Sequence, residues 1–333
     1  LVEWWEDDDE AALEVLQAGL LVDPRSAFLY ARIGDQLIDL GRLDEAQSAL
    51  ERARELDPAQ PGVYTRLAAL ARARNDLPGH LDWMRQAVEI DAQDHEMAAA
   101  LAEDFYQLQL TEEGDRWARR VSALVPGSDF DRILAVARAE SRSDWTTVME
   151  LAAAMIEGQA TQREGIFPRA AGAYAHAAMQ LGESESAFDF LMSLQPGAEN
   201  YEDPPQNLRV LDLRMTGLFL LAQFAERQRV ISAWEHARSH TEAAGWNWQH
   251  MPQMRMFDHV VRGEYEAAVP DALEGLSRPL AYDFTPDDEF ELDSMKPLAE
   301  LPEVAARLRE RESEIAILRS EVEQMMLQPE WNL

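Results

Sequence analysis

An all-α superhelix of about seven stacked helix pairs is the fold that this sequence predicts. Residues that end predicted helices recur at 34-residue spacing. Three of them are prolines, Pro24, Pro58 and Pro126, and Ala92 occupies the remaining position of the series. Each of these residues ends a stretch in which apolar residues have helical spacing. Alanine and leucine dominate the composition, and glycine and proline lie at the ends of the predicted helices. This composition is typical of an all-helical chain. A unit of this length is one helix–turn–helix, and such units bury their apolar faces by stacking.

The clearest unit spans residues 27–60. Its first helix is predicted to end at a turn opened by Gly41. Its second helix ends at Pro58, because a proline cannot continue the hydrogen-bond ladder. Gly34 and Ala46 are small, so we expect the two helices to approach closely at these residues. Larger apolar residues fill the space between the helices: Tyr30, Ile33, Leu37 and Leu50.

This unit resembles the tetratricopeptide repeat, in which an aromatic residue, a Leu-Gly step, a second aromatic residue, alanines and a final proline recur in that order. The following units, 61–94, 95–128 and 129–162, keep the pattern less completely. The second carries His80 where alanine is usual, and the third has Gly114 at the small site. The resemblance implies a right-handed superhelical solenoid of tetratricopeptide-type helix pairs, with a concave groove lined by the first helix of each pair.

The domain organisation that we predict has three parts. Residues 1–162 form a regular array that begins part-way through a repeat, since the first helix of its opening unit would precede Leu1. We therefore expect a fragment of a longer protein or a maturation boundary near Leu1. Residues 163–276 form degenerate helix pairs, and residues 277–333 form an acidic linker and a C-terminal capping helix. The acidic run at residues 7–10 is expected at the start of a helix, where carboxylates are favourable.

The end of the chain carries a second resemblance. Gly263-Glu-Tyr-Glu-Ala-Ala, an acidic linker and Leu298-Ala-Glu-Leu-Pro-Glu-Val precede a last helix rich in acids and arginine. This order is similar to the C-terminal region of bacterial multidomain regulators in which a winged-helix or nucleotide-cyclase domain precedes a tetratricopeptide array. Val304 replaces the aromatic residue that those tails typically carry, and the similarity covers only the residues from 263 onward.

The charge balance limits the classes of partner. Sixty-two acidic residues face thirty basic ones, the net charge is −32, and Lys296 is the only lysine. Such a charge repels phosphate backbones and anionic lipid, so we expect no direct contact with nucleic acid or membrane. A GC-rich, salt-adapted bacterial source would explain the acidity without a role in binding, whereas a basic partner is the functional alternative. The compartment stays open between the cytoplasm and, if a membrane anchor precedes Leu1, the periplasm.

We predict no catalytic residue, cofactor or metal site. The chain has no cysteine, which excludes disulfides and thiolate chemistry. It also lacks a glycine-rich phosphate loop, a nucleophile elbow and a dinucleotide fingerprint. His236 and His240 lie one helical turn apart, a spacing that can hold a metal, but the zinc-protease glutamate is missing and a polar surface stripe is favoured. Trp246 and Trp248 lie in a predicted connector between helices. They could form an interaction hot spot, but the favoured interpretation is that they cap the adjacent helix pair.

The inner face of the array is the strongest candidate for a binding site. Offsets along the first helices, taken from the resemblance, place seven residues there: Asp35, Ile38, Asp39, Arg72, Glu103, Tyr106 and Glu140. The set is acidic with a single cation, so it does not suit the clamp for a terminal carboxylate that the family is known for. We expect a protein or peptide with basic and apolar side chains instead.

The function that follows is a non-catalytic protein–protein interaction scaffold or sensory module. The alternative is a regulatory segment of a larger bacterial enzyme or of a membrane-anchored transcriptional regulator, with the effector domain upstream of Leu1. The sequence before Leu1 discriminates between the two, because it would show a winged helix, a cyclase or kinase domain, a membrane span or none of these.

Overall fold

A computed structural model describes residues 2–158, 167–183, 252–277, 290 and 295–331. These residues form fourteen α-helices and no strand. The first ten are α1 (Val2–Val22), α2 (Ala27–Asp39), α3 (Leu43–Leu56), α4 (Pro61–Ala73), α5 (Leu77–Ile90), α6 (His95–Gln107), α7 (Thr111–Leu124), α8 (Asp129–Glu140), α9 (Trp145–Gly158) and α10 (Phe167–Leu181). The others are α11 (Pro252–Arg262), α12 (Tyr265–Leu276), α13 (Lys296–Ala299) and α14 (Pro302–Met326), followed by a 3-10 turn at Pro329–Trp331.

Consecutive helices pack as pairs. α2 packs against α3, α4 against α5, α6 against α7, and α8 against α9, while α10 packs on α9 and α11 on α12. Tight turns at Gly41 and Gly263 have φ of 70° and 74°, values that glycine reaches without strain because it has no Cβ. In the part of the chain that the structure describes, the predicted all-α solenoid of helix pairs is confirmed.

Side-chain caps and prolines set the limits of the helices. Ser26, Asp94 and Ser128 precede α2, α6 and α8, and each accepts a hydrogen bond from a backbone N–H of the first turn. Pro61 is the first residue of α4. A backbone N–H at this position makes no hydrogen bond within the helix, so proline, which lacks the N–H, costs nothing there. α3 ends immediately before Asp57, at the predicted proline stop. Local sequence therefore accounts for these boundaries.

Helix α1 begins before its acidic run. It starts at Val2, so residues 7–10 lie inside the helix, and the expectation that they mark its start was wrong. Residues 2–6 contain no glycine or proline, so nothing in them stops the helix from extending towards the N-terminus. α1 packs against α2, and Arg42 Nη1, in the turn between α2 and α3, lies 3.6 Å from Glu10 Oε1 on α1.

The close approach of α2 and α3 depends on Gly34. A Cβ at this position would lie 2.5 Å from two atoms of the Leu50 side chain, far inside contact distance. Leu50 is fully buried, so its side chain has little room to move away. The small residue predicted at this crossing is thus a steric requirement.

Gly34→Ala should destabilise the fold by about 1–3 kcal/mol, although alanine is the better helix former by about 1 kcal/mol. The added methyl group would overlap Leu50, and the loss can be measured by chemical denaturation. In a chain that already carries Leu50→Ala, the same change should be neutral or stabilising, because the overlapping atoms are gone. A single variant as stable as the parent would show that the helices are farther apart.

The C-terminal helix α14 joins two hydrophobic cores. Its first part packs on α12, and Val304 is fully buried in the core of α11 and α12. Its second part packs on α5, where Ile315, Leu318 and Val322 enter the core shared by α4 to α8. α14 therefore covers the α11–α12 pair, as a cap would, and also returns to the middle of the N-terminal array.

Trp331 anchors this return. Its ring is 2% exposed and meets the Phe105 ring edge-on, with centroids 5.8 Å apart. The Arg85 guanidinium lies 5.3 Å from the centroid of the Trp331 ring, and Arg116 Nη1 donates to the Trp331 carbonyl at 3.0 Å. The last pair is separated by 215 positions in sequence, so no local pattern indicated the contact.

Candidate functional site

The first helices of neighbouring pairs form the layer in which the groove was predicted. α2 packs against α4, and α6 packs against α8. Asp35 on α2 joins two of these helices, because its Oδ2 accepts from Arg32 Nη1 at 3.1 Å and lies 3.3 Å from Arg66 Nε on α4. Arg32 and Arg66 are therefore cations of this layer in addition to Arg72, and the repeat offsets did not indicate them.

Ile38 and Asp39 follow Asp35 on α2. Ile38 is half-buried and packs against the N-terminal core, whereas Asp39 is exposed and accepts a hydrogen bond from Gln36 Nε2 at 3.3 Å. Glu103, the corresponding acid on α6, is half-buried. Acidic and apolar groups thus reach the surface at these predicted positions.

Arg72 belongs to a charged network inside the array. Its Nη2 lies 3.1 Å from Asp104 Oδ1 and 2.9 Å from His80 Nε2, and His80 Nε2 lies 3.0 Å from Asp104 Oδ2. The other ring nitrogen, Nδ1, faces the Ala68 carbonyl at 3.0 Å and so carries a proton, since a carbonyl only accepts. His80 and Asp104 are 5% and 7% exposed.

This network explains why a histidine replaces the usual alanine in the second unit. His80 on α5 reaches a carboxylate on α6 and a guanidinium on α4, so it ties the second helix pair to the third. The Arg72 side chain is 31% exposed, and its Nη2 already binds Asp104. Arg72 is therefore a structural cation, not an open site for a partner's carboxylate.

Tyr106 is buried, where the sequence predicted an apolar contact in the groove. Its ring is 2% exposed and lies so close to Gly114 that a Cβ there would come within 2.5 Å of ring carbons. Its hydroxyl donates to Asp115 at 2.9 Å, and Asp115 also binds Arg138 and Arg142 at 2.7 and 3.2 Å. Burial, and then the hydrogen bond to Asp115, raise the pKa of Tyr106 well above its usual value. The side chain joins α6 to α7 and is not available to a partner.

Glu140 lines a cavity formed by α8, α9 and α10. The cavity has a volume of about 220 Å³. The other described residues that line it are apolar: Ile133, Val136, Met155, Ala170 and Ala173. The sequence placed Glu140 on the inner face but did not indicate a cavity, because α9 and α10 also contribute to its wall.

Helix α10 also carries a half-buried histidine. The His176 ring lies against Trp145, with centroids 4.8 Å apart and planes at 55°. Partial burial lowers the pKa of His176 below its ordinary value, because desolvation disfavours the charged imidazolium. His176 therefore serves as a packing partner that fastens α10 to the start of α9.

The histidine and tryptophan clusters cannot be compared with the structure. His236, His240, Trp246 and Trp248 lie outside the described residues, so the interpretations of both clusters stay predictions. Among the residues that the structure does describe, no group of histidine and carboxylate side chains is arranged to hold a metal ion. No described helix combines the length and the apolar character needed to cross a membrane.

Comparison with known proteins bears on the fold. Residues 27–70, which include the clearest unit, match the family model described as tetratricopeptide repeat. No curated protein matches the sequence. A tetratricopeptide repeat protein from Parabacteroides merdae ATCC 43184 is similar in structure, with a TM-score of 0.56 and 14% identity over 76% of this chain and 93% of that chain.

A second structural match extends over more of the chain with a poorer fit. A structure of Naa15/Naa10 bound to HypK-THB aligns with 99% of this chain and 54% of that chain, at 12% identity. Its TM-score of 0.36 is too low to bear on the architecture. The resemblance of the tail to bacterial multidomain regulators stays a prediction. The chain thus has the architecture of tetratricopeptide repeat proteins, with a sequence match to the repeat itself over residues 27–70.

Proposed function

We propose that this chain is a non-catalytic protein-interaction scaffold whose inner face binds a segment with basic and apolar side chains. The observation that carries the proposal is the surface of α2, where the carboxylates of Asp35 and Asp39 flank the half-buried side chain of Ile38. Carboxylates beside an apolar side chain complement arginine or lysine next to leucine in a partner. The architecture supports the class of function, because stacked helix pairs form extended concave surfaces.

The cations of the same layer argue against an acidic partner. Arg66 binds Asp35, and Arg72 binds Asp104, so each of these cations shares its charge with a carboxylate of the array. Asp35 is shared in the same way, and the excess of acids over cations in the layer comes from the additional carboxylates. A terminal carboxylate would have to compete with these ion pairs for its own hydrogen bonds. Glu103 and Glu140, farther along the layer, extend the negative charge over α6 and α8. A basic segment is therefore the better electrostatic match.

The combined variant Asp35→Asn and Asp39→Asn should weaken binding of a fluorescent peptide of alternating arginine and leucine by about threefold to tenfold at low ionic strength. The effect should shrink at high salt, because exposed charges are screened. Fluorescence anisotropy measures the affinity at both salt concentrations. Thermal melts check that the loss of the contacts from Arg32 and Arg66 leaves the fold intact.

The matched control removes a charge from a second helix. Glu51 on α3 is exposed and accepts a hydrogen bond from Gln47, so Glu51→Gln changes the net charge without touching the first-helix layer. We expect this variant to bind the peptide like the parent. If both changes lowered the affinity for the peptide equally, the peptide would be attracted by the overall negative charge of the chain. The inner face would then not be its binding site.

A further inference from the structure

The second part of α14 contacts the N-terminal array with the spacing of a helix that binds a groove. Its buried apolar residues Ile315, Leu318 and Val322 stand at positions i, i+3 and i+7. An amphipathic helix presents its apolar face to a hydrophobic groove of another protein with this spacing. Glutamates of the same segment are exposed to solvent: Glu312, Glu314, Glu321 and Glu323.

We propose that the surface of α5, together with Phe105 of α6 and Arg116 of α7, is a binding site for an amphipathic helix that carries an aromatic residue beyond its end. We call this surface the tail site and residues 315–331 the tail. The tail occupies the site as an internal ligand, and a partner helix with the same pattern displaces it. The tail site is distinct from the inner face, where Asp35 and Asp39 lie on α2.

The two parts of α14 attach to different cores. The first part is held by Val304, which is fully buried in the core of α11 and α12. The array, for its part, buries its apolar faces by stacking α4 on α5 and α6 on α7. The tail can therefore leave the array while the first part of α14 and the helix pairs stay in place.

Trp331 gives the contact the composition of a protein–protein interface. Its ring is 2% exposed and meets the Phe105 ring edge-on. The Arg85 guanidinium lies 5.3 Å from the centroid of the indole, and Arg116 Nη1 donates to the Trp331 carbonyl at 3.0 Å. A buried tryptophan beside arginine is typical of the residues that dominate binding between proteins.

Arg319 makes the tail an imperfect occupant of its own site. Its Nη2 donates to Gln109 Oε1 at 2.9 Å, but its Nε is buried without an acceptor among the described residues. A buried donor without a partner costs free energy, because it has lost its hydrogen bonds to water. A helix that lacks this donor competes with the tail for the site.

A fluorescein-labelled peptide with the sequence of residues 312–331 tests the site in the full-length chain. In the parent, the tail opposes binding of the peptide with an effective concentration on the order of millimolar. Trp331→Ala removes the anchor of the tail, so fluorescence anisotropy should show binding at least about tenfold tighter than to the parent. Leu318→Ala weakens the same tail and should also increase the affinity, which covers the case in which Trp331→Ala does not fold.

Two isoleucines of the peptide test whether it binds through the same face as the tail. Ile315 is 7% exposed and Ile317 is 61% exposed. The peptide with Ile315→Ala should bind the Trp331→Ala chain at least about tenfold more weakly, since it loses a buried side chain. The peptide with Ile317→Ala should bind like the original peptide.

Two arginines of α7 test the location of the site. Arg116→Ala, added to the Trp331→Ala chain, should lower the affinity for the peptide about threefold, because it removes the donor to the carbonyl of the tryptophan. Arg119 is exposed on the same helix, and Arg119→Ala should change nothing. The same holds for Asp35→Asn with Asp39→Asn, which changes only the inner face.

Three results would each overturn the tail site. The first is equal affinity of the peptide for the parent and for the chains with Trp331→Ala and Leu318→Ala. The second is an equal effect of Ile315→Ala and Ile317→Ala in the peptide. The third is an equal effect of Arg116→Ala and Arg119→Ala, which would mean that the peptide binds elsewhere on the chain.

Discussion

Replacing Asp104 with alanine should lower the free energy of unfolding by about 3 kcal/mol. The carboxylate contacts Arg72 and His80, and its side chain is only 10% exposed. Without it, the guanidinium and the imidazole would face each other at 2.9 Å in a largely dry environment with no compensating charge. The loss lies at the low end of the range for broken buried pairs, because the Arg72 side chain keeps 31% of its exposure to water.

Urea denaturation followed by circular dichroism measures this loss. The matched control is Asp44→Ala, because the ion pair between Arg74 and the fully exposed Asp44 has a shorter distance, 2.7 Å, but lies in solvent. We expect little change from that variant. Asp104→Asn should fall between the two, since its amide oxygen still accepts a hydrogen bond from Arg72. Similar losses from Asp104→Ala and Asp44→Ala would contradict a buried role for the network.

Trp331→Ala should cost about 3–5 kcal/mol, the range for removing a large buried aromatic side chain. The variant would empty the space between Phe105 and Arg85 that the indole fills. Because Trp331 anchors the second part of α14, we expect that part to detach first. Trypsin should then cleave faster after Arg319, whose guanidinium now donates to Gln109 at 2.9 Å.

Leu327 provides the control for the anchor. It lies only four positions before Trp331 and is 80% exposed, so Leu327→Ala should change neither the denaturation midpoint nor the rate of cleavage. A Trp331→Ala variant that resists trypsin like the parent would mean that the other contacts of α14 hold it without the indole. In that case Ile315, Leu318 and Val322 would carry the attachment.

The helices of the first units could be predicted because their determinants are local. Pro58 stops α3, Gly41 permits the turn before it, and Gly34 allows the crossing with Leu50. Each of these effects involves residues within one helix pair. The acidic run of α1 shows the limit of such reasoning, because carboxylates favour a helix start without requiring one.

The inner face could be predicted only in part. The position of Asp35, Ile38 and Asp39 follows from the repeat register, and the structure leaves polar and apolar atoms of these residues at the surface. The register did not reveal that Tyr106 turns to Asp115 on α7 and is buried. The position of a residue along a helix gives the direction of its side chain. It does not give the contacts that the side chain makes with residues of other helices.

The sequence by itself determined the class of the fold, the register of its repeats and the sign of its charge, because helical spacing, proline stops and composition act over short distances. Only the tertiary structure decided that Arg72 is used by Asp104, that Trp331 returns to Phe105, and that a cavity opens beside Glu140. Each of these features joins helices from different pairs. Contacts of that kind depend on how the pairs stack in three dimensions, and a one-dimensional pattern does not specify it.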